Sequence, residues 1–145
     1  MFNNWSPRKS QRGAAALEFA LVAPVLFLLL FGIVDFGMVM SSQAMVANAA
    51  REGARTAALG GTTFQAQAAT KSAIAGMSGA NNSGTLVDVE CKTASGTWCS
   101  LDDATQDTGG TVTVKLTYVH TWLSPVVLGF SSVISLHGQS EMRIE

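Results

Sequence analysis

The sequence predicts an α+β protein: a long N-terminal helix, half transmembrane and half periplasmic, then a second short helix and a small antiparallel sheet of about three strands. Three observations carry this. Residues 19–34 form an apolar run of sixteen residues without a charge. Small residues then recur at three-to-four spacing through residue 58. Finally, two segments near the C-terminus alternate apolar and polar residues with period two. The first two patterns are helical and the third is that of half-buried strands.

Composition agrees. The 145 residues are 48% hydrophobic and 13% charged, and the apolar surplus is concentrated at the N-terminus. That distribution fits a membrane segment attached to one small, more polar domain. A net charge of −1 leaves no basic footprint for nucleic acid.

The first helix takes in residues 14–40 as its membrane half. At about 1.5 Å per residue these 27 residues reach roughly 40 Å, more than a hydrocarbon core of about 30 Å. Arg8, Lys9 and Arg12 precede the run, and the next basic residue after Met40 is Arg51. Basic residues stay cytoplasmic, so residues 1–13 form a cytoplasmic leader and residues 41–145 a periplasmic domain. Pro24 removes one backbone donor inside the span, which bilayer helices tolerate. Residues 41–58, "SSQAMVANAAREGARTAA", continue the helix without proline. Ala44, Ala47, Ala50, Ala54, Ala57 and Ala58 form its small-residue stripe, suited to packing on the chain's own domain or to close approach of another subunit.

Gly60-Gly61 end this helix, and Thr62 with Gln65 provides a capping box for a second one reaching about Met77. Phe64, Ala68, Ile74 and Met77 are its expected core contacts. "GANNSG", residues 79–84, is a loop. "TLVDVEC" (85–91) sets Val87, Val89 and Cys91 against Leu86, Asp88 and Glu90. "TVTVKLTYVH" (111–120) sets Val112, Val114, Leu116 and Tyr118 against Thr111, Thr113, Lys115 and Thr117. "ISLHGQSEMRIE" closes the sequence as a third strand.

An acid at the head of an apolar run needs a reason. Three processing outcomes fit a basic leader before such a run. A secretory signal peptide would be cut at Ser42-Gln43-Ala44 or Ala47-Asn48-Ala49, an uncut anchor would keep the whole chain, and a cytoplasmic-side cut between Gly13 and Ala14 would retain the apolar helix. The last accounts for Glu18. Gly13, Ala14 and Glu18, with basic residues before and a span after, resemble a type IV prepilin-like signal. The longer pattern "GAAALEFALVAPVLFLLLFGIVDFG", followed by "ANAAREGARTAA", resembles the TadE-like family of minor pseudopilins of tight-adherence (Flp) pilus systems. The resemblance is strong over residues 12–58 and loose beyond. It implies cleavage after Gly13 by a membrane aspartic prepilin peptidase. It also implies partnership with a second minor pseudopilin, the major pilin and the platform proteins of the pilus machine, in the inner membrane. The implied role is to prime or build a thin adhesive pilus. An uncleaved bitopic or secreted periplasmic binding module is the alternative.

Cleavage leaves an α-amine on Ala14, mostly protonated at neutral pH. Ala14 and Glu18 are one helical turn apart, so amine and carboxylate can meet. An unpaired carboxylate at a helix centre in lipid costs about 2.5–3.5 kcal/mol, so pairing of Glu18 with the amine of a neighbouring subunit would reward correct register. The plain reading is a Glu facing lipid headgroups. Asp35 falls about 31 Å along the helix from Ala14, near the outer boundary, either as a carboxylate at the exit of the span or as a handle for a partner helix. Cys91 and Cys99, eight apart and outside the membrane, are expected to form a disulfide, the alternative being two isolated thiols.

No catalytic, cofactor or metal site is expected. His120 and His137 stand without neighbouring Cys or acidic motifs. "DDATQD" (102–107) lacks the glycine turn and closing Glu of an EF-hand loop. "TWLSPVVLGF" (121–130) is too short to span. Its anchors Trp122, Leu123 and Phe130 are expected in the core, the alternatives being a place on the membrane surface or against a partner.

Overall fold

The computed structural model describes residues 12–102, 108–122 and 133–145. Helix α1 (Arg12–Ala58) is unbroken over 47 residues, about 70 Å long at 1.5 Å per residue. It continues through Pro24. Helix α2 (Thr63–Ala73) follows, then strands β1 (Leu86–Lys92), β2 (Thr111–Thr121) and β3 (Val133–Arg143). The strands form one antiparallel sheet in the order β1-β2-β3. This is the α+β arrangement the patterning predicts.

The two halves of α1 live in different surroundings. From Gly13 to Val34 nearly every residue is exposed, large apolar ones included: Leu17, Phe19, Phe27 and Ile33 stand 66%, 69%, 53% and 62% exposed. Burial begins at Asp35 and Val39 and becomes complete at Val46, Ala49, Ala50, Ala54 and Ala57. The small-residue stripe is therefore filled by the chain's own domain, although Ala44 remains exposed and Ala47 half-buried. The sheet lies across this second half, with Val112, Val114, Leu116 and Tyr118 of β2 facing α1 in strict alternation. The opposite face carries Thr113, Lys115 and Thr117 beside Gln139 and Glu141, a polar surface for water.

Glycine sets how close the layers come. A Cβ on Gly138 of β3 would lie 2.7 Å from the carbonyl oxygen of Val46 and 2.8 Å from its Cγ1. At the α1–α2 crossing a Cβ on Gly53 would stand 2.0 Å from Thr70 Oγ1 and 3.1 Å from the Ala66 carbonyl oxygen.

That crossing corrects the expected face of α2. The capping box is present: the Thr62 side chain accepts from the Gln65 amide, and the Gln65 side chain accepts from the Thr62 amide. But the buried residues are Ala66 and Thr70, one turn apart, because so close an approach admits small side chains alone. Phe64, expected in the core, is 77% exposed, and Ala68 is exposed as well. The helix also stops at Ala73, short of Met77, with Ile74 as its C-cap. Ile74 is fully buried and Met77 packs against the same cluster.

At the far end of α1 a second cluster joins Ala57, Ala58 and Ala66 to Cys91, Leu101, Val112 and Ile144. Cys91 and Cys99 are disulfide-bonded, with Cα atoms 5.1 Å apart, closing a small hairpin in which the Cys99 amide donates to the Cys91 carbonyl. Lys92 lies over the Trp98 ring, 5.0 Å from its centroid. The Glu145 amide donates to the Ala58 carbonyl, tying the strand end to the helix end and satisfying one of its orphan acceptors.

Candidate functional site

Gly13, Ala14 and Glu18 all fall in the first turns of α1, and all three are exposed. Among the described residues a Cβ on Gly13 would meet nothing within 4 Å. Ala14 and Glu18 sit on one face, one turn apart. A carboxylate near a helix N-terminus is favoured by the helix dipole, whereas a free amine there is not. Glu18 is the acid nearest to Ala14 in the chain.

The helix that follows is long and apolar enough to cross a membrane: its best window has mean hydropathy 2.6 and is 0% buried within the fold. Asp35 closes this uncovered stretch. It is 5% exposed at the level where α1 passes from bare to covered, so its carboxylate belongs to the protein's interior.

Trp122 is half-buried against the core cluster. Leu123 and Phe130 lie outside the described residues, as does most of the 102–107 loop. The Asp102 carboxylate is described; it accepts from the Thr63 amide, 3.0 Å away, holding the start of α2.

One feature of β2 escaped the sequence reading. The alternation that buries Val112 through Tyr118 runs one step further, to His120, which is 8% exposed. Its Nδ1 lies 3.3 Å from Ser42 Oγ on α1, and its ring is 6.2 Å from the Trp122 ring, edge-on. Tyr118 beside it donates its hydroxyl to the Ser78 carbonyl, and burial pushes its pKa up. These side chains wall a cleft of about 340 Å³ between α1, the turn after α2 and the end of β2. The signal was available: extending the period by two residues places His120 inward.

Sequence comparison matches part of this architecture. Residues 13–55 match the TadE-like protein family. The TadE-like segment begins at Gly13 and stays within α1, ending three residues before the helix does. It thus takes in the Gly13–Ala14 bond, Glu18, the bare apolar stretch and most of the face that docks on the sheet. No curated protein and no solved structure shows a significant match to the chain.

Proposed function

We propose that this protein is a minor pseudopilin of a tight-adherence (Flp) pilus, acting by assembly and not by chemistry. A prepilin peptidase cuts after Gly13 on the cytoplasmic side. The mature chain stays in the inner membrane through residues 14–40, with residues 41–145 in the periplasm. From there it joins a second minor pseudopilin, the major pilin and the platform proteins to prime or build the fibre.

The observation that supports this best is the division of α1 within one TadE-like segment. Its first half leaves large apolar side chains bare from Leu17 to Val34, an arrangement stable in lipid and unfavourable in water. Its second half is the spine of a folded domain. Glu18 is the acid inside the bare half, one turn from the amine that processing would create. In lipid that carboxylate is costly when alone, which gives an advantage to arrangements that bring a cation to it.

Intact mass of the protein purified from its native cells tests the reading. A mature chain starting at Ala14 supports it. A start at Met1 makes the protein a plain anchored module, and a start near Met45 makes it a secreted one. E18Q should leave cleavage largely intact while lowering co-purification with pilus components. Unchanged co-purification removes the pairing role of Glu18.

A further inference from the structure

Three thioethers and one imidazole meet at the cleft. Ser42 fixes the height of His120 against α1, since its Oγ lies 3.3 Å from His120 Nδ1. Met38 comes four residues before Ser42 and Met45 three after, so both share its helix face, about 6 Å and about 4.5 Å away along the axis. Met77 enters from the opposite wall, in the turn that the Tyr118 hydroxyl ties to β2 through Ser78. All four side chains line the same cavity.

The imidazole is unsatisfied. His120 Nε2 is buried and has no hydrogen-bond partner among the described residues, a costly state for a polar atom. A thioether is a poor hydrogen-bond partner but a good soft donor, and unbranched Met side chains adjust to the geometry a bound ion demands. The indole of Trp122, packed beside His120, adds a π-system of the kind that attracts cations. Among the described residues no group of three or more His, Cys, Asp or Glu is placed to hold a metal. The donors gathered here are instead those that favour Cu(I) over harder ions.

We propose that the cleft binds one soft monovalent cation of the Cu(I) type, through His120 Nε2 and the sulfur atoms of Met38, Met45 and Met77. Because the donors come from α1, the turn after α2 and β2, the ion would clamp the membrane-proximal end of the domain.

The probe is Ag(I), a redox-inert stand-in with the same closed d shell, added as nitrate to the full chain in detergent and chloride-free buffer. Methionine-methyl NMR should show saturable shifts for Met38, Met45 and Met77 at one ion per chain, with Met40 and Met142 unmoved. M38L, M45L and M77L, which conserve volume, should each weaken binding at least tenfold, and M40L should not. The proposal is overturned by the absence of saturable binding at micromolar Ag(I), by shifts spread equally over Met40 and Met142, or by full affinity in the triple leucine variant. The wild-type NMR titration gives its answer even if the triple variant does not fold.

Discussion

Replacing Gly138 with alanine tests the packing of the sheet on α1. The new Cβ would stand 2.7 Å from a backbone oxygen and 2.8 Å from a methyl of Val46, both well inside van der Waals contact. Val46 Cγ1 belongs to a β-branched side chain with little rotamer freedom, and the oxygen belongs to the helix backbone. Neither can turn aside, so β3 must lift from α1. Overpacking of this kind costs about 1–3 kcal/mol, and alanine recovers about 0.5–1 kcal/mol of the backbone penalty glycine pays in a strand. The net loss is about 1–2 kcal/mol, which lowers Tm by roughly 5–15 °C in a domain of this size. The assay is thermal unfolding of the full chain in detergent, followed by near-UV circular dichroism, with G76A as control because a Cβ there meets nothing within 4 Å. A G138A Tm within about 2 °C of wild type would refute the close approach.

Four further outcomes follow from other contacts. Reducing the Cys91–Cys99 bond, or replacing both cysteines with serine, should cost about 2–3 kcal/mol by chain entropy, read as a lower urea midpoint. T62A removes the capping box of α2 and should cost about 1 kcal/mol by the same measurement. G53A gains helix propensity of about 1 kcal/mol yet collides with Thr70 Oγ1; it should destabilise in the wild-type background and lose most of that penalty when combined with T70A. Tyr118 is the single tyrosine, and burial raises its pKa above the ordinary 10.0. The unfolded chain thus releases its proton first, so stability is intact below pH 10 and falls as pH rises above it. Tyrosinate absorbance should titrate later in the folded than in the unfolded protein, and Y118F should abolish this alkaline loss.

The elements that could be read from the sequence were those with long, unmixed periods. β2 alternates over its whole length, and α1 carries no charge from Phe19 to Val34 and runs on through Pro24. The face of α2 was not legible, because the usual rule sends the largest apolar side chain inward. Here Gly53 brings two backbones so near that Ala66 and Thr70 take that place and leave Phe64 outside. Its end was missed for a related reason: Ile74 is buried as expected, but as a cap and not as part of a further turn. At the candidate site, Gly13, Ala14 and Glu18 are proposed from local spacing along a segment that the structure shows to be one helix. The burial of Asp35 and the gathering of Met38, Met45, Met77 and His120 depend on segments far apart in the chain, and no short-range pattern carries such information.

Helix α1 has no joint between its lipid-facing end and the sheet-bearing end. An unbroken helix keeps a fixed rise of about 1.5 Å per residue, so the separation of Ala14 from Ala58 is set by the count of residues between them and by no hinge.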